Sequence, residues 1–206
     1  DSRFTTGRGR YVDDIRPDGA AIAYFVRSPY GHADIVSIDT DAAKAVPGVL
    51  GVFVGDDLEK AGLGHVGANF PPAALANRDG TPRVDGDKAL LALKRVRYVG
   101  EAVALVVART LNAAKDAAEL IQVDYRELPA VGTLEEALAA GAPVVWPEAE
   151  GNVALDWEMG DAAAVDAAFA RAAHVTRVDL VNNRIVVNSM EPRGAIGRFD
   201  NATQRW

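Results

Sequence analysis

The sequence predicts an α+β fold, and three observations carry that prediction. Residues 95–125 read as a buried strand, a short helix and a second strand. The rest of the chain alternates short strands with short helices and lacks the long, regular βαβ series of a doubly wound sheet. The pattern breaks at 131–151, around Pro143 and Pro147, so a larger unit with a partly mixed sheet precedes a smaller one.

The first unit is organised around 95–125. Val99 and residues 102–108 form a nearly continuous apolar run, interrupted near its start by Gly100 and Glu101. Such a run is a strand covered on both faces, with Val103, Leu105 and Val107 on one side and Ala102, Ala104, Val106 and Ala108 on the other. On that reading Leu105→Ala costs about 2 to 5 kcal/mol. Thr110 is the expected N-cap of a helix over 111–119. That helix is too short to stand alone, so its Ala114, Ala117, Ala118 and Ile121 face must lie closely on a sheet. A strand over 120–125 follows.

In chain order, 1–19 is a loop-like lead-in rich in glycine, aspartate and arginine. Strands are expected at 21–27 and 33–38, joined by the Ser28-Pro-Tyr-Gly turn. Thr40 opens a short helix over 41–46, stopped by Pro47 and Gly48, and a strand at 49–54 leads to a helical turn or two at 56–61. Residues 62–87 form a long irregular excursion, with four glycines between 62 and 80, Pro71-Pro72, Asn69, Asn77 and Asp79. A short strand is expected at 88–93. After 125, Thr133-Leu-Glu-Glu136 is a capping-box pattern for a helix to 140. Then come an extended linker, a strand at 154–159, and a helix capped by Asp161 with Val165, Phe169 and Ala172 on one face. Strands at 174–181, 185–190 and 195–199 end the chain.

Composition narrows the function classes. The 206 residues are 49% hydrophobic and 25% charged, an ordinary globular balance. A net charge of -7 argues against a nucleic-acid surface, and 131–170 holds eight acidic residues and no basic one. The chain has no cysteine, which removes disulfides, thiolate metal sites, iron–sulfur ligands and a cysteine nucleophile from these residues. No run approaches the length of a membrane span. A cytoplasmic location is expected; the absent initial methionine and the abrupt end suggest a piece of a longer chain, and a segment lost before Asp1 would leave a periplasmic location open.

Candidate chemical groups are few. His32, His65 and His174 lie on three separate elements without a short-spaced pair, a poor zinc triad, and His32 reads as a turn or surface histidine. Glu101 interrupts a buried run and needs a partner, for which Arg97 or Arg95 is at hand; an interface role and a raised-pKa catalytic acid are the alternatives. Asp13 and Asp14 read as turn-capping carboxylates rather than cation ligands. Gly7-Arg-Gly9 and Gly62-Leu-Gly64-His-Val-Gly67 lack the setting of a phosphate loop. Met190-Glu-Pro-Arg193 reads as a buried Glu191–Arg193 turn, with a subunit- or cofactor-contacting loop as the alternative.

Seven ordered blocks carry a family resemblance: RFTTGRGRYVDDI at 3–15, VRSPYGHADIVSID at 26–39, PGVLGVFVGDDL at 47–58, VRYVGEAVALVVARTLNAAKDAAELIQVDYRELPAV at 96–131, GNVALDWEMGD at 151–161, AFARAAHV at 168–175 and NSMEPRGAIGRFD at 188–200. The chain resembles the N-terminal part of the large, molybdopterin-binding subunit of the xanthine dehydrogenase, aldehyde oxidase and aerobic carbon monoxide dehydrogenase superfamily. The resemblance implies an α/β hammerhead domain with its lead-in over 1–130, a linker over 131–151 and an incomplete start of a molybdenum-cofactor domain over 152–206. It further implies a parent hydroxylase that oxidises an aldehyde, an N-heteroaromatic or carbon monoxide with water as oxygen source. The molybdenum–molybdopterin cofactor, expected as the cytosine dinucleotide, would sit in the full subunit. [2Fe–2S] clusters and FAD would sit on partner subunits or domains, in a dimer of heterotrimers.

The family's cofactor loops and catalytic glutamate fall beyond Trp206, so no catalytic, cofactor-binding or metal residue is carried onto this sequence. Gln204 stands in a TQ pair that reads as the turn before the family's cofactor-contacting glutamine. Glu191 and Arg193 match the family's MEPR segment without a catalytic role. The chain alone is expected to be inactive and to bind neither molybdenum nor pterin. A self-standing structural or partner-binding domain is the competing class.

Overall fold

The computed structural model describes residues 2–63, 65–66, 75–86, 88–182 and 185–206. In chain order its helices are α1 (Ser2–Thr5), α2 (Asp41–Lys44), α3 (Gly55–Lys60), α4 (Leu111–Glu119), α5 (Leu134–Leu138) and α6 (Ala162–Arg171). Its strands are β1 (Ile22–Arg27), β2 (Ala33–Asp39), β3 (Val49–Val54), β4 (Arg95–Val96), β5 (Ala102–Ala108) and β6 (Gln122–Glu127). Two compact units form: Ala21–Gly160, and Asp1–Ala20 with Asp161–Trp206.

Among the described residues every strand lies in the larger unit, in two three-stranded sheets of order β1-β5-β3 and β4-β2-β6. The α+β class stands. In place of a partly mixed sheet, each described ladder is antiparallel, and the strand–helix–strand unit is split, β5 entering one sheet and β6 the other. Thr110 caps α4 as expected, its hydroxyl accepting from the Ala113 N–H at 3.2 Å. Ala114 and Ala117 are fully buried with Ala43, Val52, Ala104, Val106, Ala108 and Ile121, so α4 lies on the first sheet through small side chains that permit close approach. A second cluster, Ala33, Ala92, Val96 and Val103, lies between the two sheets' elements.

The β5 faces differ from expectation. Val103 and Val106 are fully buried, whereas Leu105 and Val107 are only partly buried, on the face away from the cluster that α4 closes. The expected order of effects is therefore reversed. Val106→Ala should cost about 2 kcal/mol and Leu105→Ala less than that, despite the larger side chain, since a partly exposed site forfeits less transfer energy and leaves no closed cavity. Urea melts of the two variants check this, and a larger loss at Leu105 would contradict it.

Other boundaries moved for local reasons. The strand expected at 88–93 is absent; Leu91 and Ala92 are buried in a loop with one bond from the Ala92 N–H to the Ala102 carbonyl, and β4 begins only at Arg95. β6 starts two residues late because Leu120 closes the last turn of α4. The capping box at Thr133 forms, Glu136 returning to the Thr133 N–H. Residues 154–159 form no strand, although the Ala154 and Asp156 carbonyls accept bonds from the Val84 and Arg78 N–H groups. Of the 62–87 excursion, Gly64, residues 67–74 with the Pro71-Pro72 pair, and Asp87 lie outside the described residues.

In the smaller unit Asp161 caps α6, accepting from the Ala164 N–H at 2.9 Å. The strands expected at 174–181, 185–190 and 195–199 form no ladder among the described residues; the one bridge joins Asp200 to Arg205. Their side chains are correspondingly open, with Leu180, Ile185, Val186 and Val187 each at least 80% exposed. Alternating apolar residues make a strand only when a neighbouring strand takes up their backbone groups.

Candidate functional site

Polar groups converge where the β4-β2-β6 sheet meets the turn before β5. Asp34 occupies the central strand, directly opposite Arg95 on β4 and Arg126 on β6. Its Oδ1 accepts from Arg95 Nε and its Oδ2 from Arg126 Nη2, both at 2.6 Å. The two guanidiniums hold the carboxyl at about 2, Arg95 contributing most. A carboxyl whose pKa is lower folded than unfolded adds stability above the unfolded value near pH 4 and loses it as pH falls toward 2. Asp34→Asn should therefore be less stable than the native chain at neutral pH, and the two should converge near pH 2. Denaturation midpoints across pH 2 to 7 test this, and parallel curves would contradict it.

Arg95 being engaged by Asp34, it does not serve Glu101. Glu101 Oε2 instead accepts from the Arg97 backbone N–H at 2.6 Å. The Arg97 guanidinium adds charge attraction, but it stacks over the Trp146 ring at 3.8 Å and donates to the Val145 carbonyl. Burial pushes the Glu101 carboxyl up, against the pull of those Arg97 contacts. The carboxylate thus fixes the turn over 98–101, where the Glu101 N–H reaches the Tyr98 carbonyl and Gly100 adopts φ of 92°. Ser28 is bracketed by the same turn, accepting from the Gly100 N–H and donating its own N–H to the Glu101 carbonyl, each at 2.8 Å. This arrangement can hold a backbone in place.

His32 is buried rather than a surface histidine, at 5% exposure. Its Nδ1 lies 2.7 Å from the Pro129 carbonyl, which makes Nδ1 the donor, while its own carbonyl accepts from the Leu128 N–H. It therefore locks the exit of β6 to the start of β2. His65 pairs with Glu59 at 2.7 Å, and His174 meets Thr176 at 3.1 Å in the smaller unit. The structure brings none of the three together in one group of metal-ligating side chains among the described residues.

In the smaller unit Asp14 caps its own turn, its Oδ2 accepting from the Tyr11 N–H at 2.9 Å, and Asp13 Oδ1 lies beside Gly194. Glu191 does not form the expected buried turn with Arg193. It is exposed, and its Oε1 accepts from the Val12 N–H at 3.0 Å, tying the MEPR segment to the lead-in. Gln204 lies in a turn, with φ of 55° and Nε2 donating to the Asn201 carbonyl. Gly7 has φ of 71° in a turn, and Gly9 lies against the Phe4 ring. Gly64 and Gly67 lie outside the described residues.

One organising residue escaped the sequence reading. Asn152 donates Nδ2 to the Ala137 and Pro143 carbonyls and accepts from the Val145 N–H, gathering 137–152 around one amide. Its only sequence signal is the Gly-Asn dipeptide, a residue pair that tolerates left-handed backbone.

Comparisons with known proteins agree with this fold. The profile described as "Aldehyde oxidase and xanthine dehydrogenase, a/b hammerhead domain" matches residues 6–129. The chain is 34% identical over 213 residues to the carbon monoxide dehydrogenase large chain of Afipia carboxidovorans, covering 97% of this chain and 24% of that one. It is 37% identical over 202 residues to the nicotine 6-hydroxylase large subunit of Paenarthrobacter nicotinovorans, covering 97% and 23%. The crystal structure of the Cu,Mo-CO dehydrogenase in its carbon monoxide reduced state superposes with a TM-score of 0.65 at 35% identity, over 84% of this chain and 22% of that one. The chain spans about a quarter of the length of these two curated relatives. With two antiparallel sheets and α4 packed on one of them in the region the profile covers, the chain belongs to the aldehyde oxidase and xanthine dehydrogenase family and carries its α/β hammerhead domain.

Proposed function

We propose that this chain is the N-terminal part of the large subunit of a molybdenum hydroxylase, in which the hammerhead domain is a scaffold and the chemistry belongs to residues beyond it. The observation that carries this reading is alignment over 97% of the chain with large subunits about four times as long. The parent would oxidise an aldehyde, an N-heteroaromatic compound or carbon monoxide, taking the new oxygen from water. Residues 152–206 would open the molybdenum-cofactor domain, after a linker over 131–151. The relatives' names, "large chain" and "large subunit", support smaller partners, which we assign the [2Fe–2S] clusters and FAD, in a dimer of heterotrimers in the cytoplasm.

The described residues do not fit the cofactor. The described residues hold no group of three His, Asp or Glu side chains placed for a metal. Their charged clusters are satisfied internally, Asp34 by two arginines and Arg78 by Asp156 and Glu158. No step of the reaction is therefore assigned to the described residues.

The test has two parts. The purified 206-residue chain should carry no stoichiometric molybdenum by metal analysis, and one atom per chain would overturn the scaffold reading. The whole gene product should contain molybdenum and reduce a dye with one of the three substrate classes. A gene product without either would overturn the hydroxylase reading.

A further inference from the structure

We propose that the larger unit pairs with a second copy of itself through the free edge of β1 and the adjoining flank of α4. β1 ends the β1-β5-β3 sheet, so its outer backbone groups have no strand partner among the described residues. Beside that edge runs an open groove of about 740 Å³, lined by Ala23, Tyr24, Phe25, Val26 and Arg27 on one side and by Lys115, Ala118 and Glu119 of α4 on the other. A row of strand N–H and C=O groups is best satisfied by another extended backbone, which restricts the occupant to a strand.

The side chains of the groove select a second copy. A two-fold axis normal to the sheet would run β1 antiparallel to its mate and α4 antiparallel to its mate on the same sheet face. Isologous contacts come in reciprocal pairs, so Lys115 of each copy would face Glu119 of the other. Both residues are exposed, and Ala118 between them is small enough to permit close approach. α4 lies over β1 more than over β5 or β3, close to the sheet edge. With paired strands about 4.8 Å apart, the two helices would then lie near the ~8 to 10 Å of ordinary helix packing.

The opposite sheet face agrees. The groove spans residues 23 to 27, which puts the axis near Phe25 and sets Phe25 beside Phe25 of the mate and Arg27 opposite Ala23. Phe25 is 44% exposed in the single chain, and the Arg27 guanidinium lies 5.7 Å from its ring centre. Pairing would cover both rings and leave the long arginine room over a methyl group.

Sedimentation equilibrium of the 206-residue chain, with its charge variants, tests the proposal. A reversible dimer is expected, and Lys115→Glu or Glu119→Lys alone should weaken it about tenfold, since each converts two attractive pairs into two repulsive ones. The double swap Lys115→Glu with Glu119→Lys should restore the native affinity. Hydrogen exchange at 22–27 should slow with concentration in the native chain and in the double swap. A strictly monomeric chain at 100-micromolar order overturns the proposal. So does association indifferent to the charge swaps, which would place it instead at the exposed apolar residues of the smaller unit.

Discussion

Gly55→Val should destabilise the larger unit by about 3 kcal/mol, and Gly55→Ala by about 1 to 3 kcal/mol. Gly55 opens α3 directly after β3, where a Cβ would stand 2.9 Å from the Ala92 carbonyl oxygen, 2.9 Å from Leu93 Cδ2 and 3.0 Å from the Leu91 carbonyl oxygen. Two of these are backbone atoms of a buried segment, so relief requires moving the loop rather than rotating a side chain. That loop holds Leu91 in the interior and bonds through the Ala92 N–H to the first residue of β5. Gly197→Ala is the control, because a Cβ there meets nothing within 4 Å. Urea melts should separate the two sites, and a Gly55→Ala chain as stable as Gly197→Ala would mean that the 91–93 loop is not packed as described.

How much of this was legible in sequence depends on whether the determining contacts are local. Thr110, Thr133 and Asp161 each cap through a side chain reaching an N–H three residues on, so their reading from sequence is sound. The apolar run at 102–108 gives β5, and the alanine face of α4 gives its burial. Pairing partners are another matter. Nothing in the alternation of β6 says that it joins β2 rather than β5, and only that choice places Asp34 between Arg95 and Arg126. The same choice takes Arg95 away from Glu101. At 174–199 the pattern is that of strands, but the ladder partner is missing among the described residues, so the alternation has nothing to act against. The site reading has the same limit. The seven blocks carry the resemblance to the family, while the pairings that set Asp34, Glu101 and His32 among their partners are invisible in any one block's pattern.

Asn152→Ala should cost about 2 to 4 kcal/mol and should loosen 134–152 before the sheets. Three hydrogen bonds end on the Asn152 amide, at 2.9 Å from the Val145 N–H and 3.0 Å to each of the Ala137 and Pro143 carbonyls. Each contributes about 0.5 to 1.5 kcal/mol net, and alanine would also inherit a left-handed φ of 59° at about 1 to 2 kcal/mol. The segment it gathers has little regular structure of its own, only the short α5 and a single 3₁₀ turn. The Arg97 stack on Trp146 and its bond to Val145 are the other ties in that region. Asn152→Gly should recover about 1 kcal/mol relative to alanine, because glycine accepts the backbone conformation while leaving the three bonds unmade. Asn152→Asp should be at least as harmful as alanine at neutral pH, since an acceptor-only carboxylate would then point at two carbonyl oxygens. Hydrogen exchange at the Val145 amide reads the local opening directly, and urea melts read any global share. An Asn152→Ala chain with native exchange at Val145 would show that backbone packing, not this amide, holds the segment.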